Sequence, residues 1–215
     1  MEPATTSRPM PWLRFVIVAL LVGLDLWSKA GVFAWLESHP DGMTVDVHGH
    51  RRVTIIGEWF ATMRSWNPGM AFGFFGDHQV ILVLGRLVAV SVLSFMLWRI
   101  PKQQLFGCVA LTLVLAGALG NLYDNLFQGN LGEWFGGDVD LEMGEVRDFI
   151  DVYFSYWDYH FPTFNVADSC ISIGAVLLFF FWGKGAEEEG DKEVSCDENA
   201  DEEIAPEVEV EAQEG

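Results

Sequence analysis

The residues of this chain best equipped for chemistry are acids set in apolar surroundings. Asp168 lies in the stretch from Phe161 to Trp182, FPTFNVADSCISIGAVLLFFFW. That stretch is long enough to cross most of a bilayer, where an ionisable group is costly unless it is paired or used. Two readings of Asp168 are open. It caps a helix at the headgroup level, where water and the helix dipole favour a carboxylate, or it belongs to a reactive site. Asn165 stands three residues before it, which puts both side chains on one helix face, and the same spacing recurs at Asn121 and Asp124. Asp25 and Lys29 form a third polar pair at i, i+4 with the acid first, the favourable order for an ion pair on a helix. Asp148 and Asp151 stand among aromatics in VRDFIDVYFSYWDYHF. Two carboxylates held close together cannot both ionise, so such a pair can divide into an acid and a base.

The elements that must position these groups are helices in a membrane. The 215 residues are 51% hydrophobic yet carry a formal charge of −19. The two facts reconcile once the charges are located. Fourteen of the thirty-one acids fall in the last thirty positions against one base, Lys192, leaving seventeen acids and eleven bases in an apolar body. A mainly α membrane protein is expected, with four transmembrane helices, a small β-containing extracytoplasmic region and a disordered acidic C-terminal tail. The expected boundaries are a cytoplasmic segment 1–11, a membrane domain 12–184 and a tail 185–215. Spans are placed at about 12–36, 79–99, 105–127 and 163–182, with outward loops 37–78 and 128–160. The first apolar run follows Arg8 and Arg14 like a secretory signal, but no small-x-small cleavage site follows, so it reads as a retained span.

Between the spans, Val53 to Phe75 is β-branched and aromatic, with Thr54, Ile55, Ile56, Trp59 and Phe60 reading as strand and Asn67-Pro68-Gly69 as a turn. His48 and His50 lack acidic or Cys partners at ligand spacing, and the three cysteines have none either, so no metal is expected. Arg86 stands alone inside the second span and needs a polar neighbour or a route to the interface. Gly117 and Gly120 allow close approach of the third helix to its neighbours. Short connections carrying Arg99 and Lys102, with Arg8, Arg14 and Lys184, put both termini in the cytoplasm by the positive-inside tendency.

Connectivity then gives a result independent of orientation. The late parts of spans one and three and the early part of span four lie toward one membrane side, so Asp25, Lys29, Asn121, Asp124, Asn165 and Asp168 converge there. Asn67 and the loop 128–160 join them. From the residues alone the partner of Asp168 is open between Asp124 and Asp148. So is the class of function: a peptidase, a transporter or proton relay built on intramembrane carboxylates, or a non-catalytic lipid-binding protein.

Five segments in this order resemble the lipoprotein signal peptidases, or signal peptidase II, of bacterial inner membranes. They are DLWSK at 25–29, NPGMAF at 67–72, GNLYD at 120–124, VRDF at 146–149 and FNVADS at 164–169. The resemblance implies an aspartic endopeptidase that removes the signal peptide from diacylglyceryl-modified prolipoproteins, on the amino side of the lipidated cysteine. It assigns Asp148 and Asp168 as the catalytic dyad, and Asp25, Lys29, Asn67, Gly69, Ala71, Asn121, Asp124 and Asn165 as substrate-binding or supporting positions. It implies no metal or organic cofactor. The partners are prolipoprotein substrates and membrane lipids, without nucleic acid, and the oligomeric state is open, a monomer being compatible. The location implied is the bacterial inner membrane, multi-pass, with the site toward the outer leaflet. The chain departs from the family pattern at Asn125, where the family usually has Arg, and in a longer segment between Asp124 and Asp148. Arg147 is a candidate to replace that charge.

Overall fold

Runs of Leu, Val, Phe and Ala long enough to hydrogen-bond only within themselves form helices, and the polar, β-branched stretches between them pair as strands. The computed structural model describes residues 12–39, 43–45, 51–67, 79–128 and 144–181. The order is α1 (Trp12–Ser38), β1 (Thr44–Val45), β2 (Arg51–Ile56), β3 (Phe60–Asn67), α2 (Gln79–Arg99), α3 (Leu105–Phe127), β4 (Val146–Phe154), β5 (Tyr159–Phe164) and α4 (Val166–Phe181). The acidic tail, His48, His50, Gly69 and Ala71 lie outside the described residues.

Among the described residues, three helices are long and apolar enough to cross a membrane: Trp12–Ser38, Ile81–Arg99 and Leu105–Phe127. The helix α4 is apolar but shorter. Its start corrects the expected boundary near 163, because the residues before Asn165 are drawn into strand β5 by pairing with β4 (Ile150 opposite Phe164, Val152 opposite Phe161). Trp59 is likewise not in a strand. Gly57 adopts φ +50, and the chain turns there between β2 and β3, splitting the expected β segment into a hairpin.

The helix α3 packs against α1, α2 and α4. Its sequence explains this: Gly107, Gly117 and Gly120 leave room for close neighbours. A Cβ on Gly117 would collide with the backbone oxygen of Ala167 in α4, and one on Gly120 would lie 2.5 Å from the Asp25 carboxylate of α1. From the other side, a Cβ on Gly174 would lie 2.8 Å from the backbone oxygen of Ala110. Away from the polar groups, Val18, Leu97, Leu111, Leu115 and Ala116 form a core joining α1, α2 and α3. Large apolar side chains such as Leu20 (68% exposed) and Phe179 (84% exposed) point outward, as helices facing hydrocarbon require.

The strands form one antiparallel sheet in the order β1-β2-β3-β4-β5. The register sets Ser65 opposite Asp148 and Asn67 opposite Val146, so Asn67 and Asp148 are diagonal neighbours within side-chain reach. Farther along the sheet, Arg52 and His160 both meet the buried Asp151 carboxylate, at 3.0 and 3.1 Å. The sheet is fastened to α1 where Phe33 meets Trp66 edge-on, with centroids 5.2 Å apart.

Glycine substitutions test this packing. Gly117→Ala and Gly174→Ala are each expected to destabilise the fold by about 1–3 kcal/mol, because rigid backbone must shift. Gly23→Ala, with nothing within 4 Å, should be neutral or slightly stabilising. Thermal unfolding in detergent reads the difference, and equal effects at the three positions would contradict the packing described.

Candidate active site

Four helices and the sheet bring polar groups to one end of the bundle, and each carboxylate there has its own partners. In α1, Asp25 and Lys29 are one turn apart, 2% and 0% exposed. The Lys29 ammonium lies 2.7 Å from Asp25 and 3.2 Å from Asp124 in α3. Asp124 is bound from the other side by Arg147 of β4, whose guanidinium is 2.7 Å away and whose backbone N–H donates to it at 3.0 Å. Arg147 thus supplies a cation to the third-helix acid, as its candidacy anticipated. Asp25 also accepts from the backbone N–H of Ala167 at 2.9 Å. It thereby caps the start of α4 from a different helix and fixes where α4 begins relative to α1. Ser28 does not join this set: its hydroxyl donates within its own helix to the carbonyl of Asp25.

Asp168 fulfils the capping reading of the sequence. Its carboxylate accepts from the backbone N–H of Asn165 at 3.1 Å, and the Asn165 side-chain oxygen accepts from the backbone N–H of Asp168 at 2.9 Å. This reciprocal cap opens α4. The other Asp168 oxygen accepts from the Asn121 side-chain amide at 2.7 Å, and the carboxylate remains only partly buried. Asp148, 1% exposed, accepts from the Asn67 amide at 2.9 Å and the Asn165 amide at 2.6 Å. Asn165 therefore touches both acids, Asp168 with its backbone and Asp148 with its side chain. The charges also orient Asn121: its oxygen faces Lys29 (3.1 Å) and its nitrogen faces Asp168.

The electrostatics separate the two acids. Burial, and then the neighbouring charge of Asp168, push Asp148 up to about 7 against the opposing donors Asn67 and Asn165 and the charge of Lys29. Near neutral pH this position exchanges a proton while its surroundings remain highly polar. A carboxyl group that exchanges its proton near neutral pH, beside the charge of a second acid and oriented by neutral amides, is equipped for general acid–base catalysis.

Of the residues expected from sequence, Asp25, Lys29, Asn67, Asn121, Asp124, Asp148, Asn165 and Asp168 are joined in this network. Gly69 and Ala71 lie outside the described residues. Two participants were not assigned to it. Arg86 of α2 donates to the side-chain oxygen of Asn125. Asn125 in turn is tied to Gly144 through its side-chain N–H (2.7 Å) and backbone carbonyl (2.8 Å). A lone Arg in an apolar span was the signal for the first; nothing in the sequence marks the second as its acceptor.

At the other end of the bundle, Thr112 is the buried polar side chain among the described residues, and it bonds to its own helix at Cys108. No buried chain of ionisable groups continues across the described bundle.

Breaking the ion network has a defined cost. Lys29→Met leaves Asp25 without its ammonium and Asp124 with one cation fewer, so destabilisation of about 3–5 kcal/mol is expected. Adding Asp25→Asn should recover part of that loss in thermal unfolding. A Lys29→Met protein as stable as the parent would show that these buried charges are not coupled.

A family model described as signal peptidase (SPase) II matches residues 17–182. A lipoprotein signal peptidase of Yersinia pseudotuberculosis is 37% identical over 174 residues, 79% of this chain and 83% of that protein. One of Pelodictyon phaeoclathratiforme is 30% identical over 173 residues, covering 80% and 90%. Among solved structures, a bacterial membrane enzyme determined by the in meso method at 2.3 Å superposes with a TM-score of 0.55 at 22% identity, over 93% of this chain and 94% of that one. The sequence relatives carry the assignment, and the structural likeness bears on the fold alone. With most of its helices and all five sequence motifs inside the matched region, the chain belongs to the signal peptidase II family.

Proposed function

We propose that this protein is an aspartic endopeptidase that removes the signal peptide from diacylglyceryl-modified prolipoproteins, with Asp148 and Asp168 as its catalytic pair. The observation that carries the pairing is Asn165, which bonds Asp168 through its backbone and Asp148 through its side chain. Family membership supports the reaction and the substrate class.

Asp148, pushed up to about 7, is the member that keeps the shared proton, and Asp168 acts as the base. In the forward step Asp168 takes a proton from water as its oxygen attacks the scissile carbonyl. Asp148 donates its proton to the oxygen that gains negative charge. Collapse of the tetrahedral intermediate breaks the C–N bond. The proton gained by Asp168 passes to the leaving amine of the lipidated cysteine, and the pair is restored when the second proton returns to Asp148. Asn67, Asn121 and Asn165 hold the acids without adding charge. Asp25, Lys29 and Asp124 act at one remove by fixing α1, α3 and the start of α4. Gly69 and Ala71 belong, in this reading, to a substrate-facing segment.

The bilayer setting follows from the same reading. The helix α4, about 24 Å long at 1.5 Å per residue, completes a fourth span together with the strand-to-helix junction at Asn165. Both termini are cytoplasmic, and the pair lies at the outer leaflet of the inner membrane. There a lipid-anchored cysteine presents its peptide bond at headgroup depth. The acidic tail is dispensable for cleavage.

A diacylglyceryl lipobox peptide and purified protein in detergent test the pair. Asp148→Asn and Asp168→Asn should each remove nearly all turnover, with the double variant little worse than either, because the two act as one unit. Asp124→Asn should leave measurable cleavage. Cleavage by a verified, folded Asp148→Asn protein with none from Asp124→Asn would move the pair to Asp124 and Asp168. The pH profile gives a second check. The rate should fall as pH rises through about 7, where Asp148 loses its proton. Asn67→Ala removes a donor that favours the ionised form, so this limb should move to higher pH by about one unit. An unmoved or lowered limb would contradict the assignment of Asp148 as the acid.

A further inference from the structure

Arg86 is the one charged residue in α2 before its terminal Arg99, and an apolar helix keeps a guanidinium mid-span only where something holds it. It is partly buried, and it donates to Asn125, itself 3% exposed. Burial is the largest influence on its guanidinium, followed by the charges of Asp168, Asp148 and Asp124. Asn125 is locked to Gly144 just ahead of β4, so the guanidinium is anchored at the junction of α3 and the strand that carries Asp148.

The charges at the site give this placement its meaning. Among the described residues, four carboxylates gather there: Asp25 from α1, Asp124 from α3, Asp148 from β4 and Asp168 from α4. Lys29 from α1 and Arg147 from β4 supply two cations. Facing the site from β3 is the neutral Asn67, and the neighbouring Arg64 is paired with Glu37 away from it. With one proton on the aspartate pair, three negative charges remain against two positive ones. The guanidinium of Arg86 closes the difference.

We infer that Arg86 is a positioning residue of the proposed reaction: held by Asn125, it is the third cation of the site, and it keeps one aspartate of the Asp148–Asp168 pair ionised so that the pair holds one proton and not two. The inference rests on the reading of that pair as catalytic. Its consequence is electrostatic. Without the guanidinium the site carries a net negative charge in a poorly screened setting, and the pair takes up its second proton at a higher pH. The base is then lost under conditions where the parent enzyme is active.

Arg86→Gln keeps a donor for Asn125 and removes the charge, whereas Arg86→Lys keeps a charge and changes the shape. The probe is the pH dependence of kcat/KM for a diacylglyceryl lipobox peptide. For Arg86→Gln both limbs should move to higher pH by about one unit or more, while Arg86→Lys should stay near the parent profile with a lower maximum. A merely structural role would lower the rate in both without moving either limb, and that result would overturn the inference. If Arg86→Gln does not insert, the double variant Arg86→Met/Asn125→Arg decides, since it returns a guanidinium from α3. Recovery of the parent limbs supports charge balance, and limbs shifted upward despite the restored charge overturn it. A parent protein that cleaves no lipopeptide would sink the proposed function alone. In that case infrared spectroscopy of the protonated carboxyl band, parent against Arg86→Gln, still decides: greater protonation of the variant at pH 6–7 supports the inference, and identical titration overturns it.

Discussion

Gathering four carboxylates, three of them buried, at one end of an apolar helix bundle is the constraint on which the rest of this structure depends. Each would be prohibitively costly alone, and each is answered by a group from a different element. Asp25 is answered by Lys29 and by the first turn of α4, and Asp124 by Lys29 and Arg147. Asp148 is answered by Asn67 and Asn165, and Asp168 by Asn121 and its own helix cap. These bonds cross from α1 to α4, from α3 to the sheet and from the sheet to α4. The same contacts that make the charges tolerable therefore fix the mutual placement of the helices. Gly117 and Gly120 contribute by omission, since a side chain on either would hold the backbones too far apart for the bonds to form.

A division follows between acids paired with cations and acids held by neutral amides. Asp25 and Asp124 are each paired with a cation at 2.7 Å, and these pairs tie α1, α3 and β4 together. Asp148 and Asp168 are held instead by neutral amides that orient a carboxylate without fixing its charge. Amide donors leave the protonation state to be set by burial and by mutual repulsion, which is what moves Asp148 to about 7.

Much of this was legible in the sequence because charge in an apolar run is conspicuous. The i, i+4 spacing of Asp25 and Lys29, the repeated Asn-x-x-Asp and the alternation of spans were enough to bring most of the network to one end of the bundle. The edges of α2 and α3 were legible for the same reason, since polar residues flank both. What remained hidden depended on pairing between distant strands. The start of α4 at Val166 is set by β5 joining β4, and the turn at Gly57 splits one apparent strand into two. That Arg147 turns to Asp124 while Asp148 meets Asn67 and Asn165 depends on neighbouring side chains of β4 pointing in opposite directions. Neither Arg147's partner nor the meeting of Arg86 with Asn125 follows from local spacing.

The central claim is that Asp148 and Asp168 hold one proton between them near neutral pH. Titration of carboxyl resonances in protein labelled with 13C at the aspartate side chains, assigned by Asp148→Asn and Asp168→Asn, tests it most directly. One protonated carboxyl in the pair at pH 6, lost as the pH rises through about 7 and located chiefly on Asp148, is the result predicted. Two carboxylates fully ionised from pH 5 upward, or two protonated acids persisting to pH 8, would contradict it.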